Sequence, residues 1–314
     1  MVTFHKKIST TIRVMGLTIG LLGSFWANAQ SDSLSTSFFK PSDTLNKPRR
    51  NAVYIGESVV LGATLVGLHQ IWYKDYPQSN FHVINDNNQW KQMDKMGHFY
   101  STYHLGRAGA ELLQWSGASQ KERLVYGAGI GFTFLTAVEV FDGFSQEWGF
   151  SWGDMLANAS GTGLYIGQEL LWNEQRIIPK FSFNQTKFAA QRPETLGSSF
   201  QEQILKDYNG QTYWLSFNLH AFTKSDFFPK WLNLAIGHSA NGMLYGNTTE
   251  ANLNGYKQKA YRQFLLSLDV DLTKIETNSH FLKTLFSVFN TIKVPAPALQ
   301  LDEFNGLRGH FIYF

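Results

Sequence analysis

The chain has 314 residues, of which 15% are aromatic and only 16% are charged. Soluble domains contain roughly 25% charged residues, so this composition favours a protein that contacts a membrane or a large partner. Three basic residues near the N-terminus (Lys6, Lys7 and Arg13) account for the net charge of +3, and without them 24 basic and 24 acidic residues remain. This balance gives no electrostatic reason to expect nucleic-acid binding. The absence of cysteine excludes disulfides and a lipid-modified cysteine, so stability must come from a packed core.

The first 29 residues have the three-part pattern of a secretory signal peptide. A basic start is followed by the apolar run 14–26 and then by Ala27-Asn28-Ala29, whose small residues suit cleavage. An apolar run of this length is too short to cross a bilayer core, which needs roughly 20 residues. We therefore predict an exported protein of the periplasm or outer membrane, with a mature chain that begins at Gln30.

Helical patterns follow a polar segment. Residues 30–50 are rich in Ser and Thr without periodicity, which predicts a disordered tether. Four helical segments then lie at 53–73, 94–115, 122–141 and 154–172. Glycine costs about 1 kcal/mol in a helix interior, so the repeated glycines in these segments predict close helix contacts that compensate. A glycine-rich four-helix bundle is therefore predicted over 51–180. Whether 53–73 and 122–141 are embedded in a membrane is left open, since 53–73 is long enough to span one.

The hydrophobic period changes to alternation after Lys180. Residues 181–212 are mixed in character and predict a connector. The rest of the chain predicts the following elements in order: strands at 213–221, 231–244 and 264–273, a helix at 280–292 and a terminal strand at 309–314. Four or five strands are too few for a single-chain membrane barrel, which needs at least eight. Either the sheet is small and packs on the helices, or the connector contains further strands.

The predicted fold class is α+β, a glycine-rich four-helix bundle followed by a small antiparallel β-sheet region over 213–314. In the strand at 264–273, one face carries Phe264, Leu266, Leu268 and Val270. We expect this face to be buried or lipid-facing. The aromatic C-terminus resembles the insertion signal of outer-membrane barrels, and a buried terminal strand explains it equally well.

Three polar pairs lie at the ends of the predicted helices. They are Asp94 and His98 at the start of the second helix, Glu139 and Asp142 at the end of the third, and Asp154 and Asn158 at the start of the fourth. Neighbouring helices of an up-down bundle run in opposite directions, so all three pairs should fall at the same end. Since packed helices lie 8–10 Å apart, we expect the carboxyl groups to lie within about 10 Å of each other or of the imidazole.

A cluster of this composition permits several interpretations. Carboxylates and an imidazole can hold a divalent metal, with His98, Glu139 and Asp154 as candidate ligands. Neighbouring carboxylates also move each other's pKa apart and can perform acid–base chemistry, for which all six residues are catalytic candidates. The simpler alternative is structural, because Asp94 and Asp154 stand where helix N-caps belong and the whole set would then fix helix packing. The sequence contains no nucleophile motif and no complete metal motif that would decide among these three interpretations.

Two motifs within residues 90–172, DKMGHFYSTYHLGRAG and EVFDGFSQEWGFSWGDMLANASGTGL, resemble those of a family of predicted periplasmic lipoproteins of unknown function, the YfiM-like proteins. They are more distantly similar to VanZ-like membrane proteins, which share a D-K-x-x-H start and a closing D-x-x-x-N-x-x-G. The resemblance implies these shared positions: Asp94, Lys95, His98, Glu139, Asp142, Asp154 and Asn158. The family has no established activity, so the resemblance implies no reaction. The missing cysteine departs from the lipoprotein pattern.

Two functions are predicted from these features. The first is an envelope protein of structural or accessory kind, exported, associated with the outer membrane and of unknown biochemical activity. The alternative is a metal-dependent or acid–base hydrolase of an envelope lipid or glycan, and ligand binding near Trp148 and Trp152 lies between the two. Membrane or outer-membrane components are the expected partners, nucleic acid is not, and a divalent metal is the candidate cofactor. A functional site must open to a pocket, whereas a structural network should be closed and fully hydrogen-bonded.

Overall fold

The described chain passes through its long helices before it forms its main sheet. The computed structural model of the protein describes residues 38–73 and 76–314. The predicted signal peptide, the cleavage site before Gln30 and the predicted tether up to residue 37 lie outside the described residues. Residues Pro41–Phe314 form one compact unit. The predicted combination of helices with an antiparallel sheet is confirmed.

The four predicted long helices are present with small shifts at their ends. They are α1 (Lys47–Leu68), α2 (Met93–Trp115), α3 (Gln120–Gly143) and α4 (Trp152–Trp172). Helix α1 continues as a π-helical turn, His69–Tyr73, and α3 contains a π-helical segment, Arg123–Ala128. The last residues of the predicted tether are helical rather than disordered. Asn46 caps α1 by accepting a hydrogen bond from the Arg49 N–H, and a proline in the first turn favours the helix start.

Helix α2 packs closely against α3 and α4 through glycines. A Cβ atom on Gly131 of α3 would lie 2.3 Å from the Thr102 carbonyl oxygen, and one on Gly161 of α4 would lie 2.2 Å from the Phe99 carbonyl oxygen. The close contacts predicted from the glycines are therefore present at these two positions. The core around α2 contains these buried residues: Tyr103, Ala110, Leu124, Ala128, Tyr165 and Ile178.

A four-helix bundle is not confirmed, because α1 does not pack like the other three. In the described chain, α1 buries one residue, Val53, and no atom lies within 4 Å of a Cβ placed on Gly56, Gly62 or Gly67. Both α1 and α3 are long and apolar enough to cross a membrane by length and composition. Core helices of soluble proteins have the same properties, and α3 contributes Leu124 to the core around α2.

The main sheet contains six strands that pair antiparallel in chain order. A two-residue parallel pair, β1 (Val83–Ile84) with β2 (Phe150–Ser151), precedes it. The six strands are β3 (Ile177–Phe183), β4 (Gln211–Asn218), β5 (Leu232–Asn241), β6 (Tyr261–Val270), β7 (Ala296–Asp302) and β8 (Gly306–Tyr313). Helix α5 (His280–Phe289) lies between β6 and β7. The other helical segments are short: Trp90–Gln92, Pro193–Leu196, Phe200–Lys206, Leu219–Thr223, Thr248–Leu253 and Leu272–Lys274.

Two predictions for the second half of the chain need correction, and a third is narrowed. The connector prediction is wrong, because 181–212 contains the end of β3 and two short helices. The strand predicted at 213–221 ends at Asn218, whose side chain accepts a hydrogen bond from the Ala221 N–H and caps a short helix. Phe264, Leu266 and Leu268 on the face of β6 predicted to be buried or lipid-facing expose 52%, 43% and 49% of their surface, so of the two predicted environments only the lipid-facing one remains.

The sheet is strongly curled around its inner face. The segment that follows α5 pairs with the free edge of β3: the Phe181 N–H donates to the Thr291 oxygen at 3.0 Å, and the Lys293 N–H donates to the Phe181 oxygen at 2.9 Å. Across the curl, the hydroxyls of Thr212 in β4 and Tyr313 in β8 lie 3.1 Å apart. The inner face is therefore closed on two sides by the chain itself.

Candidate functional site

Three helix ends meet around His98. Its Nε2 atom lies 3.5 Å from Glu139 Oε1, and 3.9 Å from both Asp94 Oδ1 and Asp154 Oδ1. Helix α2 begins here, α3 ends here and α4 begins here, as expected for neighbouring helices of opposite direction. The structure thus brings together five of the six predicted residues, which we call the His98 cluster: Asp94, His98, Glu139, Asp154 and Asn158.

The imidazole ring is oriented by the amide of Asn158. His98 Nδ1 lies 3.0 Å from Asn158 Oδ1, and an amide oxygen only accepts, so Nδ1–H is the donor. This leaves Nε2 directed at the carboxyl groups. The Asn158 Nδ2 atom is buried and has no hydrogen-bond partner among the described residues. Buried polar atoms are nearly always paired, so a free donor here calls for an explanation.

Two carboxyl groups of the cluster are each held through one oxygen. Glu139 Oε2 accepts the backbone N–H of Ser151 at 3.0 Å, and Asp154 Oδ2 accepts from Lys95 Nζ at 2.9 Å. Their other oxygens, Oε1 and Oδ1, are the atoms directed at His98. Asp154 Oδ1 is buried without a hydrogen-bond partner in the described chain. Each group therefore has one atom fixed by the protein and one atom available.

Lys95 organises the other side of the cluster. Its Nζ atom lies 2.6 Å from Asp86 Oδ2, 2.9 Å from Asp154 Oδ2 and 3.5 Å from Asp94 Oδ2. The Ser151 hydroxyl donates to Asp86 Oδ1 at 2.6 Å. In this half of the cluster, the charged groups and the Ser151 hydroxyl have close polar partners, as expected for a structural network. The sequence singled out Lys95 only through the family resemblance and did not single out Asp86, which belongs to the loop before α2.

Helix capping does not account for Asp94 and Asp154. Ser151 is the N-cap of α4, where its Oγ accepts from the Asp154 N–H. The residue before α2 is Gln92, which makes no side-chain cap bond, and Asp94 stands inside the first turn. Both carboxylates still gain from the positive end of the helix dipole. Their side chains, however, are directed at Lys95 and His98 rather than at backbone N–H groups.

Burial and crowded negative charge shift the pKa values of the cluster. Burial, together with Asp154, raises the pKa of Glu139 to about 8. Burial, together with Asp94, raises the pKa of Asp154 to about 7. Burial alone would lower the pKa of His98, but the surrounding carboxylates outweigh it and the pKa lies above its ordinary value. The cluster thus has more acidic groups than its own cations can compensate.

All members of the cluster except Asn158 line a partly open cavity of about 310 Å³, which we call the polar cavity. Asp142, the sixth predicted residue, lines the same cavity, but its Oδ1 accepts from the Tyr73 hydroxyl at 2.7 Å. Burial raises the pKa of Asp142 to about 6. Trp148 also lines the cavity, whereas Trp152 is 68% exposed and packs against Phe150 instead.

A second cavity of about 290 Å³, which we call the apolar cavity, adjoins the same residues. It shares Asp94, His98 and Tyr208 with the polar cavity. Its other walls are largely apolar and include Leu135, Phe181, Ile204 and Leu205. The Tyr208 hydroxyl donates to Asp94 Oδ1 at 2.9 Å. No sequence signal singled out Tyr208, because it lies 114 residues from Asp94 in the chain.

The donor set suits a divalent metal. Asp94, His98 and Asp154 each offer one ligand atom, and these atoms lie within 4.8 Å of one another. Two ligands of one zinc ion stand at most about 4.4 Å apart, given bonds of 2.0–2.2 Å. His98 Nε2 lies 3.9 Å from both Asp94 Oδ1 and Asp154 Oδ1, within that limit, while the 4.8 Å span of the three atoms is wider than it, so a bound ion would draw the carboxylates together. A catalytic metal also keeps one coordination position open for water or substrate, and the polar cavity provides the space for it.

Comparison with known proteins gives one match. The chain matches no curated protein and no solved structure. Residues 84–167 match a family described as predicted periplasmic lipoprotein, DUF2279. The matched segment contains the whole His98 cluster with Lys95 and Asp86, but neither Tyr208 nor the main sheet. The match links this segment to a periplasmic family of unknown function and confirms the predicted location, which is export to the periplasm or the outer membrane.

Proposed function

We propose that the protein is a divalent-metal-dependent hydrolase of the cell envelope, with its centre at the His98 cluster. The observation that carries the proposal is the shared arrangement of three side chains. Asp94, His98 and Asp154 each offer one ligand atom to the same small space, and the protein holds the other side of His98 through Asn158 and of Asp154 through Lys95. Outer partners that fix one atom of a ligand in this way are typical of metal sites.

The charge of the site supports a cation there. Six carboxyl groups line the polar cavity: Asp86, Asp94, Glu139, Asp142, Glu147 and Asp154. Lys95 and a protonated His98 supply two positive charges between them. Buried carboxylates need a compensating proton or cation, and Asp154 Oδ1 has neither a hydrogen bond nor an ion pair shorter than 3.9 Å. A divalent ion would satisfy this oxygen.

A bound divalent ion supplies Lewis acidity and a water molecule of lowered pKa. Asn158 holds the His98 ring so that Nε2 stays directed at the site. Lys95 keeps Asp154 in place through Oδ2, and Tyr208 does the same for Asp94. Asp142, with its pKa raised to about 6, can hold a proton at its carboxyl group and give it to a leaving group in the polar cavity.

The two adjoining cavities favour a substrate that is polar at one end and apolar at the other. Such a substrate is an envelope lipid rather than a glycan. The polar cavity carries Lys95 and the carboxyl groups, which suit a head group. The apolar cavity, with Leu135, Ile204 and Leu205, suits hydrocarbon. Since His98 and Asp94 line both, the bond between the two parts of such a molecule would lie beside the proposed centre.

A structural role is the second candidate, and the Lys95 half of the cluster favours it. Lys95, Asp86 and Ser151 form a closed network of short contacts. The open cavity and the two unpaired buried atoms favour a site for the remaining half. Association with the outer membrane, and the finer similarity to YfiM-like and VanZ-like proteins, stay predictions.

Metal titration tests the proposal. Chelator-treated protein in mild detergent is titrated calorimetrically with Zn²⁺, Mn²⁺ and Ca²⁺ in separate experiments. We expect one ion to bind per chain, and Asp154→Asn to weaken binding at least tenfold because it removes a ligand charge at nearly constant shape. Asp226→Asn is the matched control, since Asp226 is fully exposed and lies 3.9 Å from His220, far from the cluster in the chain. Absence of binding by all three ions, or equal affinity of parent and Asp154→Asn, would refute the metal centre.

A further inference from the structure

The main sheet buries a polar face. Lys180 Nζ and Asp269 Oδ2 form an ion pair of 2.8 Å with both side chains fully buried. The Ser216 hydroxyl donates to the same Asp269 oxygen at 2.6 Å, and Asn218 donates to Asn233 at 2.8 Å. Apolar side chains such as Trp214 share this inner face, but they surround an ionic centre rather than a continuous apolar core.

The opposite face of the same strands is apolar and uncovered. In one row across β5, β6 and β7, Ile236 pairs with Leu266 and Leu266 with Leu299. In the next row, Phe264 of β6 pairs with Leu301 of β7, which pairs with Leu307 of β8. All six of these side chains are exposed. The rows form one continuous apolar surface on the outer side of β5–β8.

This distribution of polarity is the reverse of that in a sheet of a water-soluble protein. In water, burial of apolar surface drives folding and polar side chains remain outside. In a lipid-exposed sheet, the apolar side chains face hydrocarbon and the interior is polar. A soluble partner would cover an apolar patch, but it would not explain why the interior of the same sheet holds an ion pair. Lipid explains both faces together.

The dimensions and ends of the strands agree with a lipid environment. β5 and β6 each contain 10 residues, and a strand that crosses a bilayer core has about 9–11, whereas β7 and β8 contain 7 and 8 residues. Exposed Trp231 and Phe227 precede β5 at one end of the surface. Tyr261 and Phe304 form a ring pair at the other end, with centroids 4.9 Å apart. Aromatic residues at both rims are typical of the two lipid–water interfaces.

We propose that the outer face of β5–β8 lies against the acyl chains of a membrane bilayer. This deepens the predicted outer-membrane association by naming the surface and its lipid contact, and it does not depend on the metal centre. Six strands do not enclose a membrane pore, so the sheet contacts lipid through this one face while its inner face is filled by side chains. The outer face of β3 and β4 is covered instead by α2, through contacts of Tyr100 with Phe181 and Tyr213.

Spin labelling tests the proposal directly, because the chain has no native cysteine to remove. The mature chain carries a nitroxide at Leu266→Cys or Leu299→Cys and is reconstituted into vesicles of phosphatidylethanolamine and phosphatidylglycerol. We expect both labels to collide frequently with oxygen, which dissolves in hydrocarbon, and rarely with a water-soluble nickel chelate. A label at Lys257→Cys, in an exposed loop, is the matched control and should show the opposite preference.

A charge substitution provides a second measurement. Leu266→Glu combined with Leu299→Glu should reduce the fraction bound to these vesicles at least tenfold, while circular dichroism and metal affinity remain those of the parent. Free access of the nickel chelate to both outer-face labels would overturn the proposal. Exclusion of both reagents together with elution as a dimer would also overturn it, in favour of a second copy on this face. Metal binding is measured on the same samples, so failure of the lipid contact and failure of the metal centre give different results.

Discussion

Replacing Asn158 with leucine should weaken metal binding without removing a ligand. Leucine has nearly the same size, but it cannot accept the hydrogen bond that His98 Nδ1 donates across 3.0 Å. The ring then loses the contact that directs Nε2 at the carboxyl groups. Loss of such an outer partner typically lowers metal affinity 10–100-fold. This corresponds to about 1.4–2.7 kcal/mol of binding free energy.

The assay is urea unfolding in mild detergent with and without metal. At a free metal concentration 100 times the Kd of the parent, the ion should add about 2.7 kcal/mol to the free energy of unfolding. At the same concentration, a tenfold weaker variant should gain about 1.4 kcal/mol and a hundredfold weaker one about 0.4 kcal/mol. Asn158→Asp restores an acceptor for His98 Nδ1 and should recover most of the gain.

The metal-free measurement separates this effect from simple destabilisation. Without metal, Asn158→Leu leaves His98 Nδ1 unpaired, which costs about 1–3 kcal/mol, although it also removes the unpaired Nδ2. A purely structural role predicts this loss and nothing more. If parent and variant gained the same free energy from the ion, the positioning role of Asn158 would be refuted. If the parent itself gained none, the metal centre would be refuted.

Two further predictions concern the helical part. Gly161→Ala should destabilise the protein by several kcal/mol, because its Cβ would meet a backbone oxygen at 2.2 Å. Gly163→Ala, two residues away with no atom of the described chain within 4 Å of its Cβ, should be neutral or stabilise by up to about 1 kcal/mol in the same urea titration. Burial lowers the pKa of His104 to about 3, so the unfolded chain binds the extra proton between pH 6.5 and 3. Stability should therefore fall as the pH drops through this range, by up to about 5 kcal/mol, and His104→Gln should show a smaller fall when unfolding is followed across pH.

The convergence of the site could be predicted because it depends on local spacing and helix direction alone. Asp94 and His98 share one side of α2 through their i, i+4 spacing, and the alternating direction of the helices places Glu139 and Asp154 at the same end. Neither step requires knowledge of long-range contacts. The cap of α4 by Ser151 was missed because Asp154, three residues later, offers the same capping chemistry and the sequence does not rank the two.

The partners of the site could not be predicted, because they come from distant irregular segments. Asp86 belongs to a loop and Tyr208 to the turn before β4, and no periodic pattern relates either of them to α2. For the sheet, prediction from the sequence was incomplete for a different reason. Alternation in β7 is regular, with Leu299 and Leu301 on one side and Gln300 on the other, but Pro295 and Pro297 obscured it. Alternation also does not show which side of a strand is buried, and in the main sheet the polar side faces the interior.

The apolar cavity reaches the outer side of β3 and β4, and this leads to one more prediction. Phe181 and Tyr213 lie on the outer side of β3 and β4 and also line that cavity. The proposed hydrocarbon site beside His98 is therefore bounded by the outer side of these two strands and by Tyr100 of α2. Ile204→Trp should fill the cavity and reduce kcat/KM for a long-chain phospholipid at least tenfold, with unchanged metal affinity and unchanged hydrolysis of a short soluble ester. Leu253→Trp, on an exposed helix outside the cavity, is the matched control. Equal loss for the long-chain and the short ester would show that the apolar cavity does not bind hydrocarbon.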